Sequence, residues 1–280
     1  MKIAILGVGF LGSKLFDFLS VSYDTVCADL MPKHDHIEEL DATNRQQVEN
    51  FFKKERPNIV IDTIALSSYF ECEKNPNLCR KLNFKTAKNI SESCRKYASK
   101  MIFISSSYVF DGEKGEYDET DTPNSTNIYA KSKIDAERVV LSLVNSIVIR
   151  LEPIYGFHNE KNQLVFGTNT FENDIQVAFP ELIRRPIFVD DIPLIISTLI
   201  KKNLSGIYNV AGPSKLKWYD FLLELSKLVD ASEKIRIVED SDWILHPPVD
   251  TSLKINKINL LGLHTTLFTE ALEELKKFIN

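Results

Sequence analysis

The sequence is short of cysteine, of basic charge and of long apolar runs, and each shortage removes a class of protein. Its 280 residues include 4 cysteines, and Cys27, Cys72, Cys79 and Cys94 contain no pair at zinc-ligand spacing. A chain this long buries a core without covalent staples, so the expectation is reduced thiols packed as small hydrophobes in a cytoplasmic protein. The 5 histidines form no cluster. His34 and His36 alternate in a polar stretch, and no metal is expected. A formal net charge of −5 argues against a dedicated nucleic-acid binder, which carries a basic face, but leaves room for a local pocket for a small anion. No apolar run approaches the ~18–20 residues of a membrane span, so no membrane partner is expected. The first strand starts at residue 2, and no signal peptide is expected ahead of it. Internal repeats and low-complexity tracts are absent as well.

What is present is an alternation. Apolar runs at "KIAIL", "DTVCAD", "NIVIDTIA", "KMIFISSS" and "NSIVIRLEPIYG" read as strands. Segments of helical period lie between them: "LGSKLFDFLS", Arg45–Glu55 stopped by Pro57, one long helix over Asn77–Tyr97, and Tyr129–Val144. Strand and helix in turn predict an α/β fold, a doubly wound, Rossmann-like parallel sheet with right-handed crossovers. Beyond Arg150 the rhythm changes. Residues 157–186 show no clear period; "RRPIFVDDIPLIISTLI" and "GIYNVAG" resume it, and helices follow at "KWYDFLLELSKLV" and near Thr269–Phe278. The domain reading is a dinucleotide-binding domain over 1–156, completed by about 187–212. A small C-terminal substrate lobe over 157–186 and 213–280 closes on the sheet's carboxyl edge. Asp190 and Asp191 read as a helix N-cap with first-turn charge, and "EKGEYDETD" (Glu113–Asp121) as a solvated flap.

Three places carry chemistry. Gly7-Val-Gly9-Phe10-Leu11-Gly12 has the spacing G-x-G-x-x-G between a strand and a helix. Gly7 permits the turn, Gly9 lets backbone approach a pyrophosphate, and Gly12 lets the helix pack on the sheet; the helix N-terminus supplies free N–H groups. Asp29 ends the second strand, where a carboxylate holds a ribose 2′-hydroxyl and repels a 2′-phosphate. It tilts the cofactor toward NAD(H), while Lys33 and His34 keep NADP(H) open. Tyr129 and Lys133 stand one helical turn apart on one face, where an ammonium is expected to lower the phenol's pKa and make it an acid or base near neutrality. The serines at the end of "FISSS" add a hydroxyl for a substrate carbonyl, though Ser105 and Ser107 also suit a plain loop.

These residues resemble the extended short-chain dehydrogenase/reductase superfamily, and within it the dTDP-4-dehydrorhamnose reductase family. The resemblance rests on "GVGFLG", "RPNIVIDTIA", "CEKNPNLCRKLN", "ISSSYVFDG", "YAKSKIDAE", "RLEPIYG", "FVDD", "GIYNVAG" and "PVDTSL". It implies catalytic Ser106, Tyr129 and Lys133, acting on a nucleotide-linked 4-keto-6-deoxy sugar with NAD(H) or NADP(H). It also places Asp41 and Ala42 near the adenine, Ala65 along the phosphates, Asn83 in a supporting network counted with the cofactor site, Pro153 and Ile154 near the nicotinamide, and Tyr108 and Arg185 at the substrate. A homodimer is among the assemblies it allows. The departures are a shorter glycine loop and, in the substrate half, Ser107 where an aspartate is usual, "LEPIYG" in place of a tryptophan-bearing segment, and "IALSSYFECE". A sugar-nucleotide epimerase and a non-catalytic subunit like the regulatory subunit of methionine adenosyltransferase are the alternatives.

Overall fold

The apolar runs become β1 (Lys2–Leu6), β2 (Asp24–Asp29), β3 (Ile37–Glu39), β4 (Ile59–Asp62), β5 (Lys100–Ser106) and β6 (Ile147–Leu151). In the computed structural model, which describes residues 1–158, 162–167, 169–171, 176–237 and 246–279, these six join a strand at Gly206–Val210 in one sheet. Its order is 206–210, β6, β5, β4, β1, β2, β3. β1 pairs in parallel with β2 and β4, β2 with β3, and β4 with β5. Every residue of β4 is buried, as are Ile3, Ala4, Ile5 and Leu6 of β1, which is why both read as unbroken apolar runs rather than alternating ones. The intervening helices are α1 (Phe10–Leu19), α2 (Arg45–Glu55), α3 (Tyr69–Lys74), α4 (Pro76–Cys79), α5 (Thr86–Tyr97), α6 (Ile128–Leu141) and α7 (Ile192–Lys201). The chain runs outward from β1 to β2 and β3, then returns to place β4 on β1's other side. This is the doubly wound, Rossmann-like sheet, and the carboxyl ends of β1 and β4 flank its switch point, where such sheets take their ligands.

Local chemistry sets the ends. Asn44 caps α2 by accepting from Gln46 and Gln47 N–H, and Arg56 at φ 49° closes it just before Pro57. The helix expected over Asn77–Tyr97 starts at Pro76 and carries a π-helical turn at Arg80–Lys85. That wide turn admits one extra residue and turns Asn83 inward, a placement seen often at functional sites. The segment "NSIVIRLEPIYG" is not one strand. It breaks at Glu152-Pro153 into β6 and a strand at Ile154–His158 that belongs to another sheet. Pro153 has no N–H to give a ladder.

Two compact units emerge: residues 1–109, 126–150 and 192–208, and residues 110–125, 151–191 and 209–280. The first holds the sheet just described. The second has a four-stranded sheet in the order Ile187–Phe188, Ile154–His158, Gln163–Phe166, Asn169–Thr170. Its core is aromatic: Tyr155 meets Phe221 and Phe268 edge-to-face at 5.2 and 5.7 Å, with Phe166 and Phe171 beside them. The stretch 157–186, read from sequence as lacking a period, therefore contributes strands; its residues 159–161, 168 and 172–175, and 238–245 of the expected lobe, lie outside the described residues.

Residues 110–125, placed with the dinucleotide domain in the sequence reading, pack in the second unit. Nor is Glu113–Asp121 a solvated flap. Tyr117 is buried and stacks on Phe110 at 4.1 Å. Its hydroxyl donates to Asp111 at 2.6 Å, and its main chain pairs with Ser252 and Lys254. Asp191, read as a helix cap, accepts from the N–H and hydroxyl of Thr266 at 2.8 and 2.7 Å.

One buried ion pair ties α6 to β6. Arg150 donates to Glu137 through Nε at 3.1 Å and Nη2 at 2.9 Å, and Ser105 donates to the same carboxylate at 2.5 Å. Removing one partner strands a buried charge. Glu137→Ala is therefore expected to cost about 3–5 kcal/mol in urea denaturation, and the double variant Glu137→Met/Arg150→Leu markedly less.

Candidate active site

The glycine turn closes on the switch point. Gly7 sits at φ +93°, its N–H donating to Ala28 O at 2.9 Å and its carbonyl accepting from the Thr63 hydroxyl at 2.5 Å. A Cβ at Gly12 would stand 2.0 Å from the Gly7 carbonyl, whereas one at Gly9 would meet nothing within 4 Å. Gly12 thus serves close packing, and Gly9 faces open space at the N-terminus of α1, which carries no side-chain cap. Free N–H groups before an open, Cβ-free position fit a pyrophosphate. Phe10 and Leu11 begin that helix; Leu11 is buried and anchors it.

Asp29 accepts from Val8 N–H at 2.6 Å through one oxygen and from Met31 N–H at 3.1 Å through the other, so it shapes the turn. Leu40 N–H donates to Asp29 O at 2.8 Å, which brings Asp41 and Ala42 to the same edge. Asp41 is held below the usual carboxylate range by the Thr43 hydroxyl, and Ala42 O accepts from Asn89 at 3.0 Å. Ala65 is half-buried just past β4.

Tyr129 and Lys133 lie in the first turns of α6. Asn127 fixes the start by accepting from Ala130 N–H at 2.7 Å, and Glu73 accepts from Ile128 N–H at 2.6 Å. The Ser106 hydroxyl lies near enough to the Tyr129 phenol to act on its titration, and it accepts from Tyr108 N–H at 3.2 Å. The Tyr108 ring meets Tyr129 edge-to-face at 6.1 Å. Lys133 donates to Ile104 O at 2.9 Å and stands 4.7 Å over the Phe103 ring. The expected lowering of the tyrosine by the lysine is corrected here. Burial, leaving Tyr129 6% exposed, pushes its phenol up, and the influence opposing that push comes from Ser106. Ser105 is no loop former but a ligand of Glu137, and Ser107 is buried.

Asn83 forms a supporting network of the kind the resemblance implies. It is fully buried and spends its amide on Leu66, accepting from its N–H at 2.7 Å and donating to its carbonyl at 3.1 Å. It also donates to the Ser132 hydroxyl at 3.0 Å. It braces the loop after β4. Pro153, Ile154 and Arg185 belong to the second unit. Pro153 O accepts from Ile187 N–H, and Ile154 opens its strand. The Arg185 guanidinium is already matched by Glu116 at 3.0 Å and Pro213 O at 3.0 Å, so a substrate role requires that pair to open.

Sequence reasoning passed over several residues. Cys72 and Cys79 pack against Tyr129, and Asn83 donates to Cys79 Sγ at 3.4 Å. Asp62, ending the apolar run "IVID", is fully buried; an acid closing so apolar a strand was the signal. Glu152 is its counterpart in the second unit. One oxygen accepts from Arg185 N–H at 3.2 Å, while the other is buried without a hydrogen bond among the described residues.

A G-x-G-x-x-G turn at the switch point of a doubly wound sheet, with a Ser–Tyr–Lys set on β5 and α6, defines an NAD(P)-dependent oxidoreductase of the extended short-chain dehydrogenase/reductase type. The chain belongs to the family of the RmlD substrate binding domain, whose model matches residues 1–279. It is 25% identical over 260 residues to a dTDP-4-dehydrorhamnose reductase of Aggregatibacter actinomycetemcomitans, covering 86% of this chain and 87% of the relative. It is 23% identical over 276 residues to methionine adenosyltransferase 2 subunit beta of Mus musculus, covering 94% and 83%. Among solved structures it resembles dTDP-4-dehydrorhamnose reductase of Bacillus anthracis str. Ames in complex with NADP, with TM-score 0.83, 26% identity and 98% of both chains covered.

Burial pushes the Glu152 carboxyl up from 4.5 to about 8, with Arg184 pulling the other way. Between those values the folded chain holds a proton that the unfolded chain has lost, so stability falls as pH rises through the window. Glu152→Gln is expected to remove that part of the slope, read as denaturant midpoints at the two ends of the window; a slope equal to the parent's would refute the assignment.

Proposed function

We propose that this chain reduces the C4 carbonyl of a nucleotide-linked 4-keto-6-deoxy sugar at the expense of NADH or NADPH. The observation that carries the reading is the meeting of the Ser106 hydroxyl with the Tyr129 phenol, one helical turn from a buried Lys133, in the unit that bears the glycine turn. The nicotinamide, when bound, supplies the hydride. Tyr129, kept neutral by burial, gives its phenolic proton to the carbonyl oxygen as negative charge develops there. Ser106 donates a hydrogen bond to that oxygen and fixes its direction. Lys133 holds the nicotinamide ribose hydroxyls. Gly9 and the first N–H groups of α1 take the pyrophosphate.

Asp29 favours NADH by repelling a 2′-phosphate, while the NADP bound to the Bacillus relative keeps NADPH in the comparison. The likeness to a methionine adenosyltransferase subunit over most of the chain supports a second reading, a non-catalytic subunit acting through a partner enzyme. The chemistry of Ser106, Tyr129 and Lys133 favours the first.

The test offers dTDP-4-keto-6-deoxy sugars and their relatives with each reduced cofactor, following loss of nicotinamide absorbance. Turnover is expected with at least one pair. Tyr129→Phe is expected to lower kcat by about 10²–10⁴-fold with dinucleotide binding intact. Gly12→Val, which collides with the Gly7 carbonyl, is expected to abolish binding itself. Consumption of neither cofactor, together with a stoichiometric enzyme partner in pull-down, would instead establish the second reading.

A further inference from the structure

We propose that Asp62 is the positioning residue for Lys133, the internal counter-charge that keeps the lysine an ammonium inside the site. The geometry starts from a register. Asp62 of β4 is paired in parallel with Phe103 of β5. Residues directly paired on neighbouring strands point to the same face of a sheet, with the strands about 4.8 Å apart. Lys133 Nζ stands over the Phe103 ring at 4.7 Å, so the Asp62 carboxylate and the Lys133 ammonium occupy that same face beside one phenyl ring.

Neither group has a better partner. One Asp62 oxygen accepts from Ile64 N–H at 3.1 Å, and the other is buried with no hydrogen bond among the described residues. A buried carboxylate so placed needs a cation nearby. Lys133, 2% exposed, has the neutral Ile104 carbonyl and the Phe103 face as its direct contacts.

The other titratable groups acting on the lysine are Cys72 on α3, Cys79 on α4 and Glu137 on α6. Glu137 is already spent on Arg150 and Ser105, while the buried thiols have polar partners of their own: Cys72 donates to Leu66 O at 3.3 Å, and Cys79 donates to the Ser132 hydroxyl at 3.4 Å and accepts from Asn83 at 3.4 Å. Cys94 on α5 also feels the charge of Asp62. Among the charges acting to raise the lysine, Asp62 is the foremost, against burial, which pulls it down to about 8. Burial pushes Asp62 up, and Lys133 draws it back. The two titrations are thereby linked, and the carboxylate widens the pH range over which the lysine stays charged.

The inference rests on the reading that Lys133 holds the cofactor ribose beside Tyr129. The test compares parent and Asp62→Asn, which keeps the shape and removes the charge, from neutral to alkaline pH. Two quantities are followed: kcat, and binding of NADH or NADPH by fluorescence, which needs no turnover. The alkaline limb of both is expected to move to lower pH by about one unit or more. In a Lys133→Arg background, whose guanidinium does not titrate in this range, Asp62→Asn is expected to shift no limb of binding. Coincident profiles for parent and Asp62→Asn, or a shift that persists with Lys133→Arg, overturn the proposal. Asp62→Ser takes the same comparison if Asp62→Asn fails to fold. Full activity in Tyr129→Phe would defeat the reductase reading alone, since the binding limb judges Asp62 independently.

Discussion

Leu6 pairs with Asp62, and Asp62 with Phe103. That one row across β1, β4 and β5 is the constraint on which the site depends. It sets the end of β1 beside the end of β4, so that the Thr63 hydroxyl reaches the Gly7 carbonyl and holds the glycine turn open toward Gly9. It also sets Phe103 under α6, so that the lysine lying on that ring is one turn from Tyr129. A slip of the row by one residue would send each of these side chains to the opposite face. Such a slip is resisted because Ala4, Leu6, Val60, Met101 and Phe103 all belong to one buried cluster with Ala87, Ile90 and Ala136.

The interior of the first unit is more polar than its strands suggest. Glu137, Arg150 and Ser105 are joined in one network, and Asp62 and Lys133 lie on the same side of the sheet. Such groups add little net stability, because desolvation offsets their attraction. What they supply is direction. The Glu137–Arg150 pair fixes the rotation of α6 against β5 and β6, and with it the azimuth of Tyr129. Polar groups thus appear where α6 meets the end of β5, while the middle of the sheet stays apolar.

Much of this was legible in the residues. The apolar runs and the glycine spacing located β1, β2, β4, β5 and the glycine turn, because burial on both faces and a Cβ-free approach leave direct marks on composition. Tyr129 and Lys133 were readable as a pair from helical spacing. What escaped were effects of tertiary neighbours. Periodicity cannot reveal that Asn83 turns inward on a π-helical turn, nor that Tyr117 is buried by residues far along the chain. The sign of the shift at Tyr129 was misread for the same reason: spacing shows which charges are near, but not how much water has been excluded. The break at Glu152-Pro153 was marked by its proline, and the buried acids at 62 and 152 by their apolar neighbours.

The wide turn at Arg80–Lys85 has a consequence for how this chain tolerates insertions and deletions. Loss of one residue there would give an ordinary α-helix with better-aligned main-chain bonds, and so would be gentle on local structure. Yet it would rotate everything on one side of the lesion by about 100° relative to the other. Asn83 would swing off Leu66, and the loop after β4 would lose its brace. Here the less regular helix is the working one, and a length change that idealises it would leave a well-folded chain with a slack site.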